Sequence, residues 1–227
     1  MPKVVVASYD AMGGPEVAAM ASDGYTAGPT DAGEYRILYC GQHSSRAYAS
    51  WSKILWGSEL KDDGAGNLLV KHQGKWQSLG KLTPVTRKEI AEYHEALYGT
   101  KKVPDKWVFN DFGHITCYFY KDKNRDGKFN KDSESIHAEF FHTTPVNEAQ
   151  QAQGLPVILE NSHGCIHVKP LDIDGMRKKG YLNKGNRVVI HGYAEKTVAF
   201  ANDAKGRSPF EVHFYPGLNQ IKIVGVR

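Results

Sequence analysis

The chain has 227 residues, with 29 lysines and arginines against 25 aspartates and glutamates, a formal charge of +4, and 41% hydrophobic residues. That composition excludes extended disorder, and the length suits a single domain with a sizeable core. No apolar run approaches the ~18–20 residues of a membrane-spanning helix, and the basic residues form no stripe, so neither a membrane span nor a nucleic-acid partner is expected.

Met1-Pro2-Lys3 leads into Val4-Val5-Val6-Ala7 without the apolar core of a signal peptide, so export by another route, or removal of a signal beforehand, is expected. After a turn-rich stretch from residue 24, Tyr35, Ile37 and Tyr39 alternate as one face of a strand. Residues 40–85 read as irregular, with turns at Asp62-Asp63-Gly64-Ala65-Gly66. Trp51, Trp56 and Trp76 read as aromatic anchors there; in an extended groove Trp51 or Trp56 would instead stack on a sugar or peptide. Thr86-Arg87-Lys88-Glu89 has the spacing of a capping box, Ile90, Tyr93 and Leu97 follow at helical intervals, and Gly99 provides the stop, which predicts a helix over 86–98.

Residues 114–120 and 135–142 read as strands rich in branched and aromatic side chains, joined by a polar hairpin connection. Within it, Asp122-Lys123-Asn124-Arg125-Asp126-Gly127 has the first half of a calcium loop, with side-chain oxygens at positions 1, 3 and 5 and glycine at 6. Position 12 is Ser133, with the acid Glu134 one residue later, so the segment reads as a polar hairpin tip, with calcium as its alternative. Pro170 and the early carboxylates Asp172 and Asp174 predict a helix around 170–179. Residues 187–191 predict a strand, and 210–215 and 220–226 flank Pro216-Gly217-Leu218-Asn219 as a hairpin. The pattern is mainly β with a few short helices.

Cys40, Cys117 and Cys165 are an odd number, so at least one thiol stays unpaired, and counting does not say which. Five histidines, His137, His142, His163, His167 and His191, surround Cys165. In Asn161-Ser162-His163-Gly164-Cys165-Ile166-His167-Val168 a cysteine follows a glycine at a turn, where it can present its sulfur while backbone N–H groups converge on a carbonyl under attack. A thiol is mostly protonated near neutrality and needs a base, for which His142 is the candidate. His137 falls on the opposite strand face, as a core or surface residue, and His191 is expected to satisfy a backbone group.

Ser162-His163-Gly164-Cys165-Ile166, the upstream Phe140-Phe141-His142-Thr143-Thr144 and the approach segment Gly28-Pro29-Thr30-Asp31-Ala32-Gly33-Glu34-Tyr35 resemble the catalytic domain of the L,D-transpeptidases, cysteine enzymes that remodel bacterial peptidoglycan. The resemblance spans roughly residues 24–192 and implies a β-sandwich of that type in a single domain, with 193–227 as a C-terminal hairpin extension. It implies Cys165 as nucleophile, His142 as general base and the Thr143 carbonyl as the group that orients it. Gly164 and Cys165 N–H groups would form the oxyanion hole, with His163 and Ser162 shaping the turn and substrate contacts at Ser162 and His167. The 23 residues from His142 to Cys165 exceed the family's usual spacing and imply an inserted loop around 147–156. His167 stands where the family more often has arginine or asparagine, and Asp31 where proline is common.

The implied reaction is attack on an L,D peptide bond of a peptidoglycan stem, passing through a thioester that an amine or water resolves, with no cofactor. It places the chain in the bacterial periplasm or cell wall. The absent signal adds the expectation of a secreted antibacterial toxin, which would imply an immunity protein. Two readings compete: a non-catalytic wall-binding module, and a zinc-dependent peptidase using His142, His163, Cys165 and His167.

Overall fold

The structure, a computed structural model, describes residues 1–21, 23–44 and 50–227, so residues 45–49 of the stretch read as irregular lie outside the described residues. In chain order the strands are β1 (Lys3–Met12), β2 (Ala19–Met20), β3 (Thr26–Ala27), β4 (Gly33–Gly41), β5 (Leu60–Asp62), β6 (Leu68–His72) and β7 (Lys75–Ser78). Helix α1 (Arg87–Tyr98) precedes β8 (Thr116–Tyr120) and β9 (Phe141–His142), and α2 (Pro145–Ala152) precedes β10 (Ile166–Val168). Helix α3 (Pro170–Lys178), β11 (Arg187–Ile190), β12 (Ala201–Asn202), β13 (Arg207–Tyr215) and β14 (Gln220–Val226) complete the chain. The protein is mainly β.

Two compact units divide these elements, where the sequence suggested one domain: residues 1–40, 117–142 and 159–227 form the first, and 41–116 with 143–158 the second. In the first unit the main sheet runs β10-β9-β8-β4-β11-β13-β14-β1, and β1 pairs again with β10, so eight strands close on themselves, with β12 added beside β1. Every side chain of β8 is buried, as expected for a strand covered on both faces. Tyr35 and Ile37 are buried in β4, whereas Tyr39 emerges into solvent against Tyr118, at 4.7 Å between rings. The segment 193–227 is no appendage, because β13 and β14 stand between β11 and β1 and supply the buried Val212, Phe214, Ile221 and Ile223. A disulfide, Cys40–Cys117, joins the neighbouring strands β4 and β8, and Cys165 is the free cysteine.

The expected strand over 135–142 is short. Only β9 is extended, and the preceding residues touch β8 through one bridge, Tyr120 to Ile136. Strands β9 and β10 pair in parallel, with Ile166 opposite Phe141 and His167 opposite His142. Parallel neighbours cannot be joined by a tight turn, so the chain must cross back over a dozen or more residues, which accounts for the long 142–165 spacing. That connection holds α2 rather than an unstructured insertion, started by Pro145 and by the Thr144 side chain accepting from Asn147 N.

The second unit contains a three-stranded sheet, β5-β6-β7, in the stretch read as irregular. The strands are only three to five residues long and their turns dominate the local sequence, which hides them. Helix α1 has the expected capping box at Thr86 and Glu89 and ends at Gly99 in the left-handed conformation. Its core centres on the fully buried Trp107, whose Nε1–H donates to the Trp51 carbonyl at 3.0 Å, and on Phe109, 5.2 Å away. Trp51 packs here as expected, but Trp76 lies at the surface beneath the Lys61 ammonium.

Candidate active site

Cys165 immediately precedes β10, and the alternation of that strand puts it on the side of His167, two residues on. Register then places His167 beside His142, whose rings meet edge-on at 4.7 Å, while the His142 ring lies 5.6 Å from that of Phe140. Cys165, His142 and His167 therefore share one face of the β9–β10 pair. His142 is buried and Cys165 half-buried. The first of these placements follows from β9 ending at His142, and the second from Gly164, whose φ of +132° turns the chain into β10.

Burial pushes the Cys165 thiol up to about 12; the Phe140 N–H opposes the rise and the Glu139 carboxylate adds to it. The resting sulfur is thus a thiol, and its activation requires transfer of the proton to a base. Burial holds His167 below the ordinary imidazole range. Its Nδ1 lies 2.9 Å from the Glu160 carbonyl, so Nδ1–H donates there and Nε2 is left as an acceptor.

Ser162 lies within the turn: its hydroxyl donates to the Cys165 carbonyl and accepts from Gly164 N–H at 3.0 Å. That second bond engages the Gly164 N–H, one of the two donors expected for an oxyanion hole. His163 is exposed, with Nε2 3.2 Å from Asp23 Oδ2, away from His142 and His167. The zinc set therefore does not assemble. Among the described residues the three-ligand grouping that forms is Asp31, His137 and Glu139, with ligand atoms within 4.8 Å of one another.

Backbone packing supports the turn from behind. Ser162 N–H donates to the Gly13 carbonyl at 3.0 Å, and Gly14 packs so tightly that an added Cβ would lie 1.8 Å from the Gly28 carbonyl oxygen and 3.1 Å from Gly164 N. Gly14 N–H donates to the buried Thr30 hydroxyl, and the Tyr193 hydroxyl donates to the Gly14 carbonyl while accepting from Thr30 N–H. The segment 28–35 thus packs beside the turn that carries Cys165. Asp31 N–H donates to Glu139 Oε2 at 2.8 Å, and a Cβ on Gly164 would lie 2.6 Å from Glu139 Oε1, so this carboxylate borders the turn.

Sequence reasoning missed Glu139, Gly14 and Tyr193. Glu139 stands three residues before His142 and could have been found; Gly14 and Tyr193 are distant in sequence and carry no local signal. His137 is held between Tyr35 and Phe119, at 4.7 and 5.5 Å, with Nε2 3.4 Å from Glu139. His191 does not serve a backbone group. It belongs to a side-chain series in which Glu195 meets His191 Nδ1 at 2.8 Å, His191 Nε2 meets His213 Nδ1 at 2.9 Å, and His213 Nε2 meets Glu211 at 3.0 Å.

Thr143, next after His142 in the chain, belongs to the second unit. It is fully buried and its hydroxyl donates to Glu148 of α2, the carboxylate that also meets His114 Nδ1 at 2.5 Å. Gly113 lies against it at φ +61°, where an added Cβ would fall 1.8 Å from the Thr143 hydroxyl.

Compared with family models, curated proteins and solved structures, the chain matches none. Among the described residues no helix is long and apolar enough to cross a membrane.

Proposed function

We propose that the chain is a cysteine-dependent L,D-transpeptidase or L,D-carboxypeptidase acting on peptidoglycan stem peptides, with a sandwich of the L,D-transpeptidase type. The observation that carries this reading is the placement of Cys165 behind Gly164 on the same β9–β10 face as His142.

His142 takes the proton of the Cys165 thiol as the sulfur attacks the scissile carbonyl. The C–S bond forms, the oxyanion is met by the Cys165 N–H, and collapse breaks the C–N bond while His142 returns the proton to the leaving amine. An acceptor amine or water then attacks the thioester, gives a proton to His142, and releases the sulfur, which is reprotonated. The raised thiol fits this order of events, in which proton transfer accompanies attack rather than preceding it. His167, neutral and beside His142, offers Nε2 to the substrate.

The Cys40–Cys117 disulfide accords with an oxidising compartment, and we place the protein in the bacterial periplasm or cell wall. Use of this chemistry as a secreted antibacterial toxin, countered by an immunity protein, is part of the proposal. The test is mass spectrometry of muropeptides incubated with the protein and its Cys165→Ala variant, with chelator in parallel. Loss of a terminal D-residue or a new cross-link that needs Cys165 and ignores chelator is the expected result. No change in any arm would favour a wall-binding module, and chelator-sensitive turnover would favour a metallopeptidase.

A further inference from the structure

We propose that residues 122–134, between β8 and β9, form a calcium-binding loop, a role independent of the cysteine chemistry. Asp122, Asn124 and Asp126 occupy the first, third and fifth places of such a loop, with Gly127 at the sixth. The backbone turns left-handed at Arg125, φ 60°, and at Gly127, φ 74°. A non-glycine residue at such an angle is uncommon and here winds the chain back over Asp122.

The oxygens of the loop are only partly used. Asp122 Oδ2 accepts from Gly127 N–H at 3.0 Å and from Arg36 Nε at 2.5 Å, which places the carboxylate under the returning chain. Its other oxygen, Oδ1, is buried with no hydrogen-bond partner, in a side chain that is only 8% exposed. A buried carboxylate oxygen without a partner is costly, and a cation inside the loop would satisfy it. Asn124 Oδ1 accepts from Asp126 N–H at 3.2 Å, and Asp126 accepts at Oδ1 from Lys128 N–H at 2.7 Å and at Oδ2 from Asn124 Nδ2 at 3.0 Å, which leaves each of these oxygens a second lone pair for a cation.

Glu134 stands one place beyond the usual closing acid; it is buried and folds back, its Oε1 accepting from Lys123 N–H at 2.8 Å and its Oε2 from Asn130 N–H at 2.9 Å, so it braces the loop from within through these backbone donors. Phe129 packs edge-on against Tyr120, at 5.1 Å, and fixes the loop to the end of β8. The carboxylates of Asp122 and Asp126 and the amide of Asn124 are hard oxygen donors, which suit calcium and its six to eight oxygen ligands better than the strict octahedron of magnesium.

The test uses the full chain stripped with chelator. Its melting temperature is followed with calcium or magnesium chloride added up to about 10 mM, above the weakest range of natural calcium loops. Terbium luminescence excited through tyrosine is read in parallel, since Tyr120 adjoins the loop. We expect a saturable rise with calcium, little with magnesium, and terbium emission that calcium quenches. Asp122→Asn should weaken calcium at least tenfold, and Asp126→Asn, at an exposed position that leaves Arg36 paired, should do the same in a folded chain. No response of the unmodified protein to calcium, or a response unchanged in folded Asp126→Asn, overturns the proposal.

Discussion

The turn that carries Cys165 and the core around Trp107 are held by opposite means. The turn rests on backbone contacts: Gly13 accepts from Ser162, Gly14 abuts Gly28 and Gly164, and the Ser162 hydroxyl bridges Gly164 and Cys165. The core of the second unit rests on large apolar side chains, Trp107, Phe109, Ile54 and Ile90, all fully buried. The first arrangement fixes the position of a few atoms and buries little, so its substitutions should change chemistry. The second buries much and places no reacting atom, so its substitutions should change stability.

Substitution of Cys165 should separate the two regions most sharply. Cys165→Ser should lower muropeptide turnover by roughly a thousandfold or more, because serine's hydroxyl is far less ionised beside the same base, with an unaltered melting temperature. Kinetics and calorimetry on one preparation check both halves. In the other region, Trp107→Ala should cost about 3–5 kcal/mol of stability, read by denaturant unfolding of the second unit. A loss below about 1 kcal/mol would remove Trp107 from the centre of that core.

Gly14→Ala should blur the division, since its methyl group would meet backbone rather than a flexible side chain. We expect a stability loss of about 1–3 kcal/mol together with reduced turnover. Gly28→Ala, whose added carbon meets nothing within 4 Å, should stay within about 0.5 kcal/mol of the unmodified protein. Glu139→Gln removes a charge that raises the thiol, so the alkylation rate of Cys165 at fixed pH should rise by up to about tenfold. An unchanged rate would mean that burial alone sets the thiol.

The smallest effect is confined to acid. The His213 bond, then Lys3 and Arg187, holds the Glu211 carboxyl down to about 2. The folded state favours its ionised form, so its contribution is complete above the ordinary glutamate range and disappears as pH falls from about 4.5 to about 2. Glu211→Gln should therefore be less stable than the unmodified protein at neutral pH, and the two acid-unfolding curves should converge near pH 2.

The same contrast explains what could be read from the residues alone. Cys165, His142 and Ser162 could be singled out because the strings around them are short and distinctive, and α1 because its caps are local. The C-terminal hairpin was legible as a hairpin, yet its place inside the wall was not, since that depends on pairing with Lys3–Met12 at the other end of the chain. The three-stranded sheet was hidden by strands shorter than its turns. The crossover between β9 and β10 looked like an insertion because parallel pairing leaves no mark in sequence. Glu139, Gly14 and Tyr193 act through contacts that only the fold creates.

The central claim is that Cys165 carries the acyl group. Rapid-quench intact-protein mass spectrometry with a stem tetrapeptide as donor, followed by peptide mapping, tests it most directly. The account predicts a transient adduct of the acyl fragment on the peptide containing Cys165, discharged by an amine or by water and absent from Cys165→Ala. Turnover of the stem peptide that persists in Cys165→Ala, or an adduct mapped to another residue, would contradict it.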